Sequence, residues 1–283
     1  MKTFKKLIGI TAIIAVIGSV FLSCDEGDNP VKSSFGETLK LSGQVNIVKE
    51  DNSILIEDDM EKYINSFINP KYEIFKGTLN VSDNKSGTQG NIKTGILNFE
   101  INAPGEVLLI PIGNLIESFP SQELNNQGFG DLIKEIKADN EDVKCYLISK
   151  LQAESNEYES LRRSNQSGKF SISQFVNYTV SINTDSVSYI YVTDKVKITV
   201  TGGEEELGDV TIKCKSGSFS LEKGWNSIKI SLSGSLSGDI TEAMASIVEI
   251  MANPENIMKG GFGKGTVTIS FSTGDSGTNW VLE

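Results

Sequence analysis

Apolar and polar residues alternate along most of the chain after residue 38. In nine stretches the apolar side chains fall at every second position, with polar side chains between them. A period of two residues is typical of a β-strand that buries one face and exposes the other. The alternating apolar positions are Leu39, Leu41, Val45 and Ile47; Leu97, Phe99 and Ile101; Val143, Cys145 and Leu147; Val176, Tyr178, Val180 and Ile182; Val187, Tyr189 and Tyr191; Val196, Ile198 and Val200; Val210, Ile212 and Cys214; Ile228, Ile230 and Leu232; Val267, Ile269 and Phe271.

Strands with one wet face pair in antiparallel sheets. The stretches here are short, and turn-forming residues separate them, as in the connections at 83–87 and 223–224 and the acidic hairpin tip at 201–209. We therefore predict a mainly β fold, an antiparallel β-sandwich, over residues 39–283, either as one domain or as two subdomains.

Three segments break the alternation and predict short helices: Glu57–Phe67, Gly130–Ala138 and Thr241–Ala252. In the third segment, Asp239 and Glu242 can form a capping box. Helices between runs of strands are expected to cover an end or an edge of the sandwich.

The first 23 residues have the parts of a secretory signal peptide. Lys2, Lys5 and Lys6 are positive, and the sixteen residues from Leu7 to Leu22 carry no charge. As a helix this apolar run spans only about 24 Å, which is less than the ~30 Å hydrocarbon core of a bilayer. The segment therefore predicts export and cleavage rather than a membrane-spanning anchor.

Cys24 follows the apolar run and makes this prediction more specific. Residues 21–24 (FLSC) resemble the lipobox of bacterial lipoproteins, with Phe21 where Leu is usual. The resemblance implies that the Cys24 thiol takes a diacylglycerol, that the chain is cut just before it, and that acyl chains such as palmitate hold the protein in a membrane. Two or three acyl chains anchor a protein stably. The alternative is an ordinary signal peptide with an incidental cysteine.

Residues 24–38 are rich in Gly, Asn, Pro, Ser and charge, and predict a flexible tether between the lipidated cysteine and the β domain. Asp25 and Glu26 resemble the sorting signals that follow the lipidated cysteine in some lipoproteins. The expected location is the bacterial cell envelope, with the outer membrane or cell surface favoured over the cytoplasmic membrane.

The absence of histidine excludes several chemistries at once. It removes Ser-His-Asp and Cys-His catalysis and every His-ligated zinc or haem site. Removing residues 1–23 takes away three lysines and no acids, so the net charge changes from −11 to −14. Such an acidic surface repels phosphate backbones and argues against nucleic-acid binding. We predict no catalytic residue, no cofactor and no metal site.

Three motif-like strings do not fit the motifs that they resemble. Residues 82–84 (SDN) and 93–95 (KTG) have the letters of penicillin-recognising enzymes, but no Ser-x-x-Lys precedes them in the mature chain, so polar hairpin turns are expected. The glycine-rich segment 260–266 departs from phosphate-loop spacing and leads into a predicted strand, so a simple connection is expected.

Three acidic clusters, at 57–59, 139–142 and 204–206, supply the hard oxygens that Ca²⁺ prefers. None has the residue order of a calcium-binding loop, and solvated loop charge is the simpler interpretation. Two carboxylates at the right separation would also suit glycoside hydrolysis, although no pair stands out in the sequence.

Cys145 and Cys214 fall at the alternating apolar positions of predicted strands, which favours two buried small side chains. Export also permits a disulfide between them, and this alternative stays open. Trp225 lies off the parity of Ile228 and Ile230, so we expect it to face outward, where it could stack on a glycan. Filling an end of the sandwich is the alternative for Trp225.

Four segments carry a wider resemblance. They are LSGQV at 41–45, YIYVTDKVKITVTG at 189–202, FSLEKGWN at 219–226 and WVLE at 280–283. These segments look like parts of uncharacterised lipoproteins of spirochaete-type envelopes. The resemblance implies an envelope location and brings no activity with it.

These observations favour a membrane-anchored envelope lipoprotein whose β domain is a non-catalytic binding or adhesion module, with a glycan or a protein as ligand. Two alternatives remain from other classes. One is a structural envelope component that associates with itself, and the other is a glycan-active enzyme with paired carboxylates.

Overall fold

The computed structural model describes residues 34–49, 60–117, 132–173, 177–207, 209–239, 263–275 and 277–283. Strands dominate these ranges, so the fold is mainly β, as predicted. The strands are β1 (Ser34–Gly36), β2 (Thr38–Val48), β3 (Tyr72–Ile74), β4 (Thr78–Asp83), β5 (Thr88–Lys93), β6 (Ile96–Asn102), β7 (Ile110–Pro111), β8 (Ile133–Ala138), β9 (Lys144–Ile148), β10 (Leu151–Ala153), β11 (Ser160–Ser173), β12 (Asn177–Val192), β13 (Val196–Gly202), β14 (Glu204–Leu207), β15 (Val210–Cys214), β16 (Gly217–Leu221), β17 (Gly224–Asp239), β18 (Lys264–Thr273) and β19 (Asn279–Leu282). The helices are α1 (Met60–Ile68) and α2 (Ile112–Glu117), and a 3₁₀ turn spans Glu106–Leu108.

The described strands form two sheets. Sixteen strands belong to one large sheet, and β16, β13 and β8 form a smaller one. Most of the large sheet follows the order β10-β4-β5-β6-β2-β19-β11-β12-β17-β18-β15-β14. Neighbouring strands run antiparallel, as predicted, except in the parallel pairs β15–β18 and β2–β19.

Part of the large sheet closes into a ring. Strand β10 pairs with β4 and also with β11, so that β4, β5, β6, β2, β19, β11 and β10 form a continuous circuit of hydrogen-bonded neighbours. We call the apolar cluster associated with this circuit the ring core. Its buried members are Leu39, Leu41, Val45, Val81, Ile92, Leu97, Phe99, Ile101, Tyr146, Ile148, Leu151, Ala153, Leu161, Val187, Tyr189, Tyr191, Trp225, Trp280 and Leu282.

The three-stranded sheet packs on another part of the large sheet. Val196, Ile198 and Val200 of β13 share one apolar cluster with residues of β12, β15, β17 and β18. We call this cluster the sandwich core. Two packed sheets with apolar side chains between them make a β-sandwich, so the predicted architecture is present in this half of the molecule.

Strand β12 separates the two cores. Its even-numbered residues Ile182, Ile190 and Val192 belong to the sandwich core, and its odd-numbered residues Val187, Tyr189 and Tyr191 belong to the ring core. Successive side chains of a strand point to opposite faces. The large sheet therefore carries a core on each face here, and the expectation of one wet face is wrong for this part of β12.

Helix α1 confirms the first predicted helix within the described residues. Its side chain Asn65 donates from Nδ2 to the Phe170 carbonyl and accepts at Oδ1 from the Phe170 amide, both at 2.7 Å. Glu61 Oε2 accepts from the Ile172 amide at 3.0 Å. These bonds satisfy backbone groups along β11, so the helix covers a strand edge, as predicted for helices in this fold.

The predicted helix at 130–138 is wrong, because residues 133–138 form strand β8. This strand pairs with β13 from Ile198 opposite Ala138 to Gly202 opposite Ile133. The positions of Ile133 and Ile136, three residues apart, suit a helix locally, but β13 is 60 residues away in sequence and supplies the backbone partners. The third predicted helix, at 241–252, lies outside the described residues.

Strand β14 gives the large sheet an acidic edge. Residues 204–206 belong to the predicted hairpin tip, but they continue as a strand that pairs with β15, so the turn itself lies between Leu207 and Val210. Charged side chains on an edge strand hinder pairing with another chain. The charge of β14 therefore disfavours self-association through this edge.

Candidate functional site

The chain enters the fold through β1, earlier than predicted. Gly36 pairs with Trp225 at the start of β17. The two backbones approach so closely that a Cβ at Gly224 would lie 2.3 Å from the Gly36 carbonyl oxygen, and both glycines have positive φ. Residues 34–38 of the predicted tether therefore belong to the fold. Residues 24–33 lie outside the described residues.

Five strands lie side by side where the chain enters. They are β7, β9, β12, β17 and β1, and we call their adjoining ends the entry end. One residue of each strand lies at this end, and each lies beside the next across adjacent strands. In order from β7 to β1 these residues are Ile110, Cys145, Val192, Gly224 and Gly36.

The predicted outward position of Trp225 is wrong. Its side chain is 0% exposed and belongs to the ring core, where it meets Tyr146 and Tyr191 edge-on at centroid distances of 6.2 and 5.6 Å. Trp225 and Ile228 are an odd number of residues apart in β17 and lie on opposite faces of the sheet, as predicted. Ile228 packs on the sandwich core. That opposite face carries a second core rather than solvent, so Trp225 cannot stack on a glycan.

Polar bonds hold the entry end together. Tyr191 Oη donates to Glu37 Oε2 at 2.7 Å, one residue after β1 ends. Burial, followed by this bond, raises the pKa of Tyr191 to about 12. Asn226 is fully buried and donates from Nδ2 to the carbonyls of Glu222 and Gly224 at 2.7 and 2.9 Å. These bonds fix the turn before β17 and the segment after β1.

The 3₁₀ turn carries Val107, which at 93% is the most exposed large apolar side chain among the described residues. The turn is closed by two backbone bonds, from the Leu108 amide to the Gly105 carbonyl at 2.9 Å and from the Leu109 amide to the Glu106 carbonyl at 3.2 Å. Val107 is therefore displayed on a hydrogen-bonded element.

Both flanks of the turn are fixed near the entry end. Before the turn, Asn102 ends β6 opposite Thr38, and Thr38 Oγ1 bonds Asn102 Oδ1 at 3.0 Å. After it, Ile110 pairs with Cys145. Sequence reasoning missed this feature. Its signal is the unbroken apolar run at 107–110, where alternation would place polar residues.

Arg163 joins three separate parts of the chain at the edge of the ring core. Its Nη1 lies 2.5 Å from Asp275 Oδ2 and donates to Tyr189 Oη at 3.1 Å, and its Nε donates to Thr278 Oγ1 at 3.0 Å. The guanidinium carbon lies 5.6 Å from the centre of the Trp280 ring. Burial raises the pKa of Tyr189 to about 12 despite the nearby Arg163. The arrangement links β11, β12 and the C-terminal segment.

Asp83 of the SDN segment is a buried structural carboxylate. Its Oδ2 accepts from the Ser86 amide at 3.2 Å, from Ser86 Oγ at 2.5 Å and from Tyr146 Oη. Burial, and then the bond to Asp83, raises the pKa of Tyr146. These bonds close the turn between β4 and β5 and tie it to β9, as suits a polar hairpin.

The KTG segment is a two-residue hairpin turn between β5 and β6. Lys93 pairs with Ile96, and the residues between them, Thr94 and Gly95, have φ values of 49° and 78°. Two successive positive φ angles are typical of a type I′ turn. A Cβ on Gly95 would lie 2.2 Å from the Phe75 carbonyl oxygen, which explains the glycine. The hairpin prediction is confirmed for the segments 82–84 and 93–95.

Cys145 and Cys214 are free, buried thiols of the sandwich core. The prediction of two buried small side chains is confirmed, and no disulfide joins them. Burial raises the pKa of each thiol to about 11. Since the thiolate is the reactive form of cysteine, both groups are poor nucleophiles at neutral pH.

The acidic clusters form ordinary surface contacts where they are described. Asp139 Oδ1 accepts from the Lys197 amide at 2.8 Å, and Glu204 pairs with Lys213 at 2.7 Å. Residues 57–59 lie outside the described residues. Within the ranges that the structure covers, no three carboxylate or cysteine groups come together in a way that could hold a metal ion.

Cys24 also lies outside the described residues, so its lipidation stays a prediction. Of the glycine-rich segment, residues 264–266 belong to β18, and the segment leads into a strand as predicted. Neither helix in the described ranges has the length and apolar character to cross a membrane. In comparisons with known proteins, no family model, no curated protein and no solved structure matches this chain.

Proposed function

We propose that this chain is an exported lipoprotein of a bacterial cell envelope, anchored by acyl chains on Cys24 and displaying a non-catalytic binding or adhesion domain. The observation that carries the proposal is the sequence of residues 1–24, in which lysines precede an uncharged apolar run that ends at Cys24. The envelope location, at the outer membrane or cell surface, is part of the proposal.

The way the chain enters the domain supports an anchor on its N-terminal side. Strand β1 joins β17 at one end of the molecule, and Cys24 precedes Ser34 by ten residues. A flexible segment of that length has a root-mean-square reach of about 17 Å. Strands β12 and β17 have sixteen residues each, which corresponds to about 50 Å. A lipid on Cys24 would hold the domain by one end and leave the far end free for a partner.

The bonds of the buried and partly buried polar groups support a role without catalysis. Asp83, Arg163 and Asp275 bond to groups on neighbouring segments and hold those segments together. The net charge of −14 on the mature chain favours a neutral or basic ligand over an anionic one. We propose a glycan or a protein surface as the ligand.

The anchor is tested by expressing the full chain in a bacterium that processes lipoproteins and measuring the mass of the purified product. The expected product begins at Cys24, carries two or three acyl chains and fractionates with membranes. A Cys24→Ser chain is the matched control and is expected to lose both the acyl mass and the membrane association. An unacylated product that begins at another residue would contradict the proposal.

The binding role is tested separately with the acylated protein in detergent. A glycan array and a cross-linking experiment on intact cells are expected to give a reproducible glycan or protein partner without any turnover. Hydrolysis of a bound glycan would overturn the non-catalytic part of the proposal and leave the anchor untouched.

A further inference from the structure

The exposed 3₁₀ turn is a feature that a lipid anchor alone does not explain. Leu108 and Leu109 pack partly against the ring core, whereas Val107 is 93% and Ile110 43% exposed. A single exposed aliphatic side chain is ordinary on a protein surface. Here Val107 lies in a hydrogen-bonded turn, and it begins a four-residue apolar run that ends at Ile110 in β7.

The turn lies at the same end of the molecule as the chain entry. Ile110 and Gly36 mark the two sides of the entry end, four strand spacings apart, which is about 19 Å along the sheet. A flexible chain of ten residues, the number from Cys24 to residue 33, would reach about 17 Å. A lipid attached to Cys24 and the tip of the turn can therefore meet the same membrane surface.

Two ion pairs lie near the entry end. Glu106 lies 3.9 Å from Lys144, and Glu222 lies 2.6 Å from Lys195. The adjoining loops add one lysine, Lys223, and the acidic Asp142 and Asp194. The described part of the entry end therefore offers no basic patch to anionic lipids, and the acidic mature chain would be repelled by them. An uncharged lipid surface suits this combination of an apolar tip and balanced charge.

We propose that the turn Glu106–Leu108 is a second membrane contact, in which Val107 enters the interfacial layer of the bilayer that holds the Cys24 lipid. The inference rests on the proposed acylation of Cys24. With two points of contact, the lipid and Val107, the domain takes a defined orientation on the bilayer, with the entry end facing the lipid. The occupant of this surface is a bilayer of uncharged headgroups, not a protein.

The test places an environment-sensitive dye on a single introduced thiol of the full-length, acylated protein. Val107→Cys carries the dye at the proposed contact. Ser235→Cys is the control, because Ser235 is exposed and lies eleven residues along β17 from Gly224, about 36 Å from the entry end. The native thiols of Cys145 and Cys214 are buried and stay unlabelled in the folded protein. The labelled proteins are bound to phosphatidylcholine vesicles that contain lipids brominated near the headgroup end of the acyl chains.

The dye at position 107 is expected to shift its emission to the blue and to lose emission to the brominated lipids, while the dye at position 235 does neither. If both proteins bind vesicles through their acyl chains and neither dye is quenched, the membrane contact is refuted and the anchor stands. Equal quenching at both positions refutes a defined orientation, and with it the inference. If the purified chains carry no acyl group and do not bind vesicles, the anchor and the inference both fall.

Discussion

The ring core and the sandwich core share strand β12 but are closed in different ways. In the sandwich half, β12 and β17 are paired over sixteen residues and β11 and β12 over eleven. The ring is closed by β10, which contributes only two register pairs to β11 and two to β4. Backbone pairing is therefore extensive in one half and sparse at the closure of the other.

Aromatic packing and side-chain hydrogen bonds stabilise the ring, where backbone pairing is sparse. Both tryptophans of the chain are in the ring core, and its tyrosines Tyr146, Tyr189 and Tyr191 all bond to a charged group on another segment. The sandwich core holds mostly aliphatic side chains and the two free thiols. An aromatic ring with a polar tip can fill a core and also bond at its edge, which suits a short, closed circuit.

The substitutions with the largest expected loss of stability test whether the two cores unfold together. Trp225→Ala should lower the free energy of unfolding by about 3–5 kcal/mol, because a fully buried indole is removed from the ring core. Leu221→Ala, at a fully buried position of the sandwich core, should cost about 2–5 kcal/mol. Since β12 lines both cores, each substitution should shift one common transition in chemical denaturation followed by fluorescence and circular dichroism. Two separate transitions would show that the cores are independent.

Trp225→Phe is the control for the indole. The indole nitrogen of Trp225 is buried without a hydrogen-bond partner among the described residues, and a buried donor of this kind costs about 1–3 kcal/mol. Phenylalanine removes that donor and keeps most of the contacts with Tyr146 and Tyr191. Its loss of stability should therefore be well below that of Trp225→Ala.

The next effect concerns the polar bonds of the ring. Arg163→Met should cost about 1–3 kcal/mol, because it removes the donors to Asp275 and Tyr189 from a partly buried site. The matched control is Lys40→Met, which breaks the exposed pair with Glu100 at 3.1 Å and should cost about 0–1 kcal/mol. Equal losses in thermal unfolding would remove the distinction between ring bonds and surface pairs.

Alkaline pH should affect both cores, over different ranges. Burial raises the pKa of Cys145 and Cys214 from 9.0 to about 11, and that of Tyr191 from 10.0 to about 12. The folded chain thus holds its protons more tightly than the unfolded chain, so the stabilisation is complete below the unfolded pKa and is lost as the pH rises through the folded one. Stability should fall from pH 9 to 11 through the two thiols and from pH 10 to 12 through the phenols of Tyr189 and Tyr191.

Variants separate the two ranges. Cys214→Ala should flatten the decline of stability between pH 9 and 11, and Tyr191→Phe should flatten it between pH 10 and 12. The measurement is the denaturation midpoint against pH for each variant. An unchanged slope in Tyr191→Phe would mean that Tyr191 titrates alike in the folded and unfolded chain.

The smallest expected effect lies in the turn between β5 and β6. Thr94 is the only described non-glycine residue with positive φ, and a β-branched side chain is strained there. Thr94→Asn should raise the free energy of unfolding by about 0.5–1 kcal/mol, because asparagine tolerates this conformation. Gly95→Ala in the same turn should be destabilising, since its Cβ would meet the Phe75 carbonyl oxygen.

The alternation of residues was enough to predict the strands but not what covers their second face. It correctly put Leu97 and Phe99 on a buried face, and it put Trp225 and Ile228 on opposite faces. Whether a face meets water depends on segments far away in sequence, and here a second core covers it. The runs CYLI at 145–148 and YIYV at 189–192 carried a local sign of this, since four consecutive apolar residues fit a strand buried on both faces.

The candidate site also has one part that the sequence predicts and one part that it does not. The pattern that ends at Cys24 is local and can be read from the sequence. The place of Val107 depends on the pairing of Asn102 with Thr38 and of Ile110 with Cys145, which no local pattern encodes. The failed helix at 133–138 has the same cause, because its backbone partner β13 is distant in sequence.

Strand β1 has a mechanical consequence for a domain that is held by its N-terminus. A pulling force would reach the two register pairs of β1 with β17 first, and the seven pairs of β2 with β6 only afterwards. Release of residues 34–37 would lengthen the linker by about 13 Å and leave both cores folded. Single-molecule pulling should show this short extension at low force before the main unfolding event. Strand β1 would then yield first and reversibly when force acts between the anchor and the domain.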